Sequence, residues 1–323
     1  MPFAGVVMTL QLQALNRSGT CEKITMTHGI CMKFALFLLP ALAIAAPFGS
    51  TAEQPIDDAK IFQRLDHEVG ALAESGKAPL GREERLKQVA RRTTVVPKLL
   101  PASANVLSKE DLYTRAAAST VLFGTAFKCD KCSRWHSAMA SGVIIDPSGI
   151  VVTNYHVAGA AKGDAMGVML SDGTFLPVTE ILAADQKQDV ALVRIQTGGK
   201  ALPALPVRTD LRAGGDVLCM SNPDNCVGYL SEGIVARYNR QPSPTGNGPV
   251  WMQITADFAK GSSGGPILDR SGNVVGIVSS TNSVYYDEAK NGGQPNNLQM
   301  VRHNCVPGTA ILGLTQEAKP TGR

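Results

Sequence analysis

Three short segments hold residue types that together perform one kind of chemistry. Thr153-Asn154-Tyr155-His156-Val157 puts a histidine at the end of an apolar run. Gln188-Asp189-Val190-Ala191-Leu192 opens another apolar run on a carboxylate, and Gly261-Ser262-Ser263-Gly264-Gly265-Pro266 sets a serine among glycines. A serine hydroxyl is a weak nucleophile at its free pKa and needs a base within hydrogen-bond reach. Histidine can take and return a proton near neutrality, and a carboxylate behind it fixes the tautomer and stabilises the imidazolium. The tetrahedral intermediate of acyl transfer needs two N–H donors on its oxyanion, and glycines beside the serine let the backbone turn those donors inward. The expected roles are therefore Ser263 as nucleophile, His156 as base and Asp189 as orienting acid, with the amides of Gly261 and Ser263 as oxyanion donors. This chemistry implies no cofactor and no metal. With only 5 histidines in the chain, few others could compete for the base. His136 and His303 lack a companion motif and read as surface or structural; His67 reads as solvated on a helix.

These residues must be carried by strands. The chain has 323 residues, 44% hydrophobic and 18% charged, with a net charge of +4, enough apolar residues for a core and too balanced a charge for disorder or for nucleic acid as the main partner. Its 32 Gly and 19 Pro suit a turn-rich β protein better than a helix bundle. From residue 119 onward, about ten short apolar runs alternate with turn residues. They fall at 119–123, 140–145, 150–154, 166–170, 178–183, 190–195, 215–220, 233–237, 250–255 and 274–279. Asp146-Pro147-Ser148-Gly149, Ser171-Asp172-Gly173 and Arg270-Ser271-Gly272-Asn273 mark turns. The pattern predicts an all-β barrel or sandwich. The run 266–269, a turn and the run 273–279 read as a hairpin directly after Ser263. That excludes the other reading of Gly-x-Ser-x-Gly, an α/β-hydrolase nucleophile elbow, which needs a helix there and a histidine further on with its acid before it.

Residues 46–107 differ. Ile56, Ile61, Phe62, Leu65, Val69 and Leu72 recur at helical spacing, a second short helix covers 83–92, and Pro97 and Pro101 mark a linker. The segment reads as a helical extension packed on the main domain or as a propeptide, inhibitory arm or oligomerisation helix; a spacer or weakly inhibitory role is expected. Ser108-Lys109-Glu110-Asp111 reads as a capping box opening a helix, and 307–317 as a closing helix.

The order His156, Asp189, Ser263 and the three motifs around them resemble the trypsin/chymotrypsin family of serine proteases, and the Asn-Tyr-His-Val and Asp-Val-Ala-Leu forms are most similar to its bacterial HtrA-type branch. The resemblance covers roughly 108–317 and implies a trypsin-like domain at 108–323, all-β, built as a double six-stranded β-barrel with a short helical N-terminal extension and a C-terminal helix. His156 and Asp189 would lie on the first barrel and Ser263 on the second. It also implies a serine endopeptidase acting on protein or peptide substrates. The rival function is a catalytically silent binding module or chaperone on the same fold. Ser262 stands where digestive members carry an aspartate, so activation by a new N-terminus lacks its electrostatic anchor. Too few residues follow Ser263 for both the rest of a barrel and a PDZ module, so no PDZ is expected. The resemblance places Asp257 at the base of the specificity pocket and Ser279, Ser280 and Thr281 on one wall. A carboxylate there would favour Lys or Arg, whereas HtrA-type relatives tend towards small aliphatic side chains, and Asp257 could equally cap a local turn.

Residues 32–45 have the form of a secretory signal: a basic start, an apolar run too short for a bilayer, and Ala43-Ile44-Ala45 as cleavage site. The expectation is a periplasmic or secreted protein with no stable membrane span after cleavage, translation starting at Met32 and residues 1–31 lying upstream. Cys21 and Cys31 would leave with the leader, and export would permit disulfides among Cys129, Cys132, Cys219, Cys226 and Cys305. A local Cys219–Cys226 bridge is sterically reasonable. Cys129, Cys132 and His136 could be three zinc ligands, but a disulfide is the reading favoured for this pair.

Overall fold

The computed structural model describes residues 54–90, 97–129, 131–132, 134–160, 163–287 and 294–315. The expected leader, Cys21, Cys31 and the proposed start at Met32 lie outside them. Strands β1 (Thr120–Lys128), β2 (Trp135–Asp146), β3 (Ile150–Thr153), β4 (Ala165–Met169), β5 (Phe175–Asp185) and β6 (Val190–Ile195) close into one antiparallel barrel in the order β1-β2-β3-β6-β5-β4. Strands β7 (Asp216–Ser221), β8 (Tyr229–Arg240), β9 (Val250–Ile254), β10 (Pro266–Leu268), β11 (Val274–Asp287) and β12 (Asn296–Pro307) close a second in the order β10-β11-β12-β9-β8-β7. Closure pairs each described strand on both sides and leaves no edge among them to protect. This is the double six-stranded barrel of the trypsin-like fold.

Three apolar clusters hold it. Val121, Phe123, Ile144, Val151, Ile181 and Val193 fill the first barrel; Val217, Val235, Met252, Ile267 and Val278 fill the second. A third lies between the barrels, where Val143, Val152 and Leu192 meet Met220, Leu268 and Ile277. Each such fully buried side chain contributes about 1.5–3 kcal/mol, so the seam between the barrels is as much a core as either interior.

Five α-helices among the described residues complete the fold. Helix α1 (Asp58–Glu74) is capped by Asp57, whose side chain accepts from the Lys60 amide at 3.1 Å. Its Leu65 and Val69 are fully buried against the first barrel. Glycine makes the approach possible: a Cβ at Gly124 of β1 would stand 2.9 Å from Leu65 Cδ1. Asp66 accepts from the Ser137 amide at 3.1 Å, and Asp58 from the Val227 amide at 2.8 Å, so α1 ties itself to both barrels. Helix α2 (Arg82–Val89) also packs on the first barrel, through Leu80 just before it and Val89 at its end. Helix α3 (Lys109–Ser119) starts at the Ser108 cap, whose Oγ accepts from the Asp111 amide at 3.0 Å, and buries Ala116 in the seam. Helix α4 (Tyr155–Ala158) is a single turn after β3, and α5 (Gly308–Thr315) seals the seam with Ile311 and Leu314. No helix among the described residues is long and apolar enough to cross a membrane.

Two differences from the sequence reading have physical causes. Strand β12 carried no strand signal because its first half is exposed, so Asn296 to Arg302 show no alternation. The cysteines are also not bridged. All five described thiols are free. Cys219 faces the sealed interior of the second barrel, where burial pushes its thiol up to about 12, while Cys226 is exposed outside it. With one thiol sealed inside and the other exposed, no local bridge joins them. Cys129 and Cys132 stand with their Sγ atoms 3.3 Å apart, next to His136 rather than bonded to each other.

Candidate active site

Strand β3 delivers the imidazole. Its last residue, Thr153, is followed by buried Asn154, where the chain turns into α4 and presents His156 to the cleft. Asn154 does not cap α4 with its side chain; its Nδ2 donates instead to the Asp189 carbonyl at 2.9 Å. Asp189 closes the turn before β6 at φ 55, in the left-handed region, where a non-glycine residue is strained and usually held for a purpose. Here that conformation aims the carboxylate at His156.

The carboxylate collects three donors. His156 Nδ1 lies 2.9 and 3.0 Å from the two Asp189 oxygens, the His156 amide donates at 3.2 Å, and Ser279 Oγ donates to Oδ2 at 2.5 Å. With Nδ1 carrying the proton towards Asp189, Nε2 is the acceptor, and Ser263 Oγ stands 3.1 Å from it. The His156 side chain is half exposed and that of Asp189 is 17% exposed, so the base is open to the cleft while its acid is sheltered.

The nucleophile loop is shaped by backbone. Gly261 has φ 96 and Gly264 φ 86 on either side of Ser263. A Cβ at Gly264 would come within 2.2 Å of the Ser141 carbonyl, and one at Gly261 within 2.5 Å of the Asn222 carbonyl. Ser141 of β2 spans the seam: its amide donates to the Ser263 carbonyl at 2.8 Å and its Oγ to the Gly261 carbonyl at 3.0 Å. Among the described residues the amides of Gly261 and Ser263 have no protein acceptor. The Lys260 carbonyl is held by the Asp224 amide at 2.7 Å. In a trans peptide the carbonyl and N–H point opposite ways, so this bond turns the Gly261 N–H away from Asp224. Asp224 and Asn225 themselves sit at φ 43 and 67, a second strained turn beside the loop. Ser262 is fully buried and receives a 3.0 Å hydrogen bond from Ser221, a neutral contact at the position where a carboxylate anchor was missed.

His156, Asp189, Ser263, Gly261 and Ser279 thus converge. The other residues expected at the specificity pocket, Asp257, Ser280 and Thr281, are all exposed. The Asp257 side chain is 86% exposed, 3.7 Å from His303 Nε2, and so is no buried charge at a pocket base. Its neighbour Phe258 turns inward instead and meets the buried His303 ring edge-on at 4.7 Å.

Three contributors went unread in the sequence: Ser141, Asn154 and Arg85. Arg85 of α2 is buried, donating to the carbonyls of Ala158 at 3.1 Å, Ala160 at 2.6 Å and Gly163 at 3.0 Å, on the loop that follows His156. Burial lowers its pKa from the ordinary value. Asn154 lies inside the histidine motif, but nothing local marks it as a donor to Asp189.

Residues 140–277, less than half of the chain, match the model of the trypsin-like peptidase domain. This stretch is similar to a trypsin-like peptidase domain, and the pair of closed barrels is the trypsin-like fold. The chain is also similar to HtrA-type proteases. Over 144 residues it is 38% identical to a probable periplasmic serine endoprotease, DegP-like, of Brucella suis, a stretch that is 43% of this chain and 27% of that protein. Over 164 residues it is 32% identical to the serine endoprotease DegS of Salmonella typhimurium, covering 50% of this chain and 43% of that one. The chloroplastic protease Do-like 5 of Arabidopsis thaliana is 35% identical over 153 residues, 44% of this chain and 47% of its own. The match thus spans less than half the length of each of these relatives. The solved structure of the HtrA-type protease AlgW with tripeptide superposes with a TM-score of 0.50 at 24% identity, over 64% of this chain and 62% of that one, a likeness of fold.

Proposed function

We propose that the chain is an exported serine endopeptidase that cleaves peptide bonds through a covalent acyl-enzyme. One observation carries the reading: a serine hydroxyl 3.1 Å from an imidazole Nε2 whose Nδ1 is held by a carboxylate at 2.9 Å. Ser263 Oγ attacks the peptide carbonyl while its proton passes to His156 Nε2. The carbonyl oxygen becomes an oxyanion, received by the N–H groups of Gly261 and Ser263. Collapse of the intermediate breaks the C–N bond as His156 returns the proton to the leaving amine. Water then adds to the acyl carbonyl while its proton passes to His156. The second intermediate collapses by breaking the bond to Ser263 Oγ as His156 returns that proton to Oγ, releasing the acid and the free serine. Asp189 holds the imidazole in place and stabilises the imidazolium. Folding by itself orients these groups, since the three-donor clasp on Asp189 involves no substrate. Protein or peptide substrates are supported by the tripeptide named in the AlgW structure and by the endoprotease relatives. A periplasmic or secreted location is supported by the signal-like residues 32–45 and by the periplasmic Brucella relative.

Treatment of the full chain with a fluorophosphonate tests the reading. One adduct per chain, mapped to Ser263 and absent in Ser263→Ala and His156→Ala, is expected. Peptidase activity should fall by about 10⁴–10⁶ in both variants, the range seen when such a triad is broken. No adduct in the folded protein would overturn the enzyme in favour of a silent binding module.

A further inference from the structure

Away from the cleft, the tip of the β1–β2 hairpin gathers three side chains that the proposed peptidase chemistry does not use. Cys132 Sγ lies 3.0 Å and Cys129 Sγ 3.4 Å from His136 Nε2, and the sulfurs are 3.3 Å apart. No other described residues form a His, Cys, Asp or Glu group with metal-binding spacing. The strand register explains the convergence. Phe127 pairs with His136, and side chains alternate along a strand, so Cys129 projects on the same face as Phe127 and hence as His136. The short turn then brings Cys132 back over that face.

We propose that Cys129, Cys132 and His136 bind one zinc ion. Two thiolates and an imidazole are the donor set that favours zinc, and a tetrahedral ion with Zn–S of about 2.3 Å and Zn–N of about 2.0 Å holds its donors roughly 3.5–3.8 Å apart. The triangle needs only to open by about half an ångström. On binding, each thiol gives its proton to solvent and the two negative charges neutralise the ion, so the site adds no net charge to the hairpin. The three protein ligands leave a fourth position for water.

The ion would act as a clasp on an element that already has two other contacts. Trp135 packs on Gly70 of α1, where an added Cβ would stand 3.0 Å from Trp135 Cβ, and Lys128 Nζ sits 4.7 Å from the Trp135 ring centroid. The same hairpin continues through Ser137, Ala138 and Met139, which share a cavity with Lys260 and Gly261 of the nucleophile loop. A metal-held tip would therefore stiffen one wall beside the oxyanion donors.

The test is metal analysis of the full chain purified without chelator. About one zinc per chain is expected, falling about tenfold or more in Cys129→Ser, Cys132→Ser and His136→Ala. His136→Cys should retain it, because a third thiolate can replace the imidazole, and Cys226→Ser should retain it as a remote control. Cobalt substitution should produce a thiolate-to-cobalt charge-transfer band that those three ligand variants lack, with near-ultraviolet circular dichroism reporting that each variant is folded. Metal-free folded protein whose Cys129 and Cys132 alkylate only after reduction would overturn the site in favour of a disulfide. So would zinc that persists in Cys132→Ser, or that is lost in Cys226→Ser.

Discussion

His156 sits on the single helical turn after β3, which side chains hold in place: Arg85 of α2 grips the carbonyls behind it, and Asn154 ties it to Asp189. Ser263 sits on a loop of the second barrel whose shape comes from the positive φ angles of Gly261 and Gly264 and from carbonyls and amides bonded at its back. The two halves meet through Ser141, a first-barrel residue that bonds the second-barrel loop twice. The contrast separates two ways of making a precise site. A loop held by side chains can lose one and relax part of the way. A loop held by its dihedral angles has no intermediate position, because a Cβ either clashes with the opposing carbonyl or forces the peptide to turn.

The largest effect should come from the second barrel. In Gly261→Ala the new methyl meets the Asn222 carbonyl at 2.5 Å, at a φ that costs an L residue roughly 1–2 kcal/mol. The peptide that presents one oxyanion donor must rotate. The expected result is a loss of about 10²–10³ in kcat, with KM little changed and the Ser263 fluorophosphonate adduct formed slowly. A variant within a few-fold of wild type would break the contrast, by showing that the loop accommodates a side chain as easily as a held one does.

The first barrel should respond more gradually and mostly in stability. Arg85→Met fills similar volume but leaves three carbonyls without their donor, and each buried acceptor left unsatisfied costs about 1–3 kcal/mol. Thermal melting should fall well below wild type, and kcat should drop about tenfold below the melting range, a loss of about 1.4 kcal/mol in the barrier. Arg85→Lys should recover little, since one ammonium cannot replace a fork that reaches three acceptors. Deleting 54–96 should reproduce the loss. The expectation of an inhibitory or spacer segment predicts higher or unchanged turnover instead, and either result would show that the extension does not support the site.

The unequal legibility of the two halves follows from the same physics. Strands whose apolar residues alternate or run continuously, such as β6, were readable to the residue, and the glycines around Ser263 marked the nucleophile loop because only glycine tolerates those angles. Local pattern carries both signals. The supports behind His156 are not local: Arg85 is 73 residues from Ala158, and in a helix of mean polar character it reads as one more solvated charge. Ser141 and Ser279 are small hydroxyls within strands, with nothing in their neighbours to say which partner they face. Asp257 is hard to place from sequence for a related reason. Counting back from Ser263 fixes its position in the chain, but whether it or Phe258 turns inward is decided by packing against His303.

His303 offers a smaller effect with a defined sign. Burial against Phe258 lowers its pKa below the ordinary 6.5, with the Asp257 carboxylate opposing the shift. A base whose folded pKa is lowered binds fewer protons folded than unfolded, so its contribution is complete above about pH 6.5 and is lost as pH falls towards the lowered value. Melting temperature of wild type should decline from pH 7 to 5 more steeply than that of His303→Gln. Parallel curves would show that His303 gains a proton in the fold as readily as out of it.

The smallest expected effect concerns Asp257, which tests whether the second barrel reads its substrate by charge. The carboxylate is 86% exposed and lies 3.7 Å from a histidine that burial keeps neutral, so water screens it and it has no enclosed partner position to offer a Lys or Arg. The inward side chain of this turn is Phe258, which with His303 presents rings rather than a charge. Profiling wild type and Asp257→Ser on one peptide library should give the same preference at the scissile bond, led by small apolar residues with no enrichment of Lys or Arg. Enrichment of basic residues in wild type that disappears in Asp257→Ser would mean that the carboxylate swings inward when substrate binds, and that side chains as well as backbone set the second barrel's half of the site.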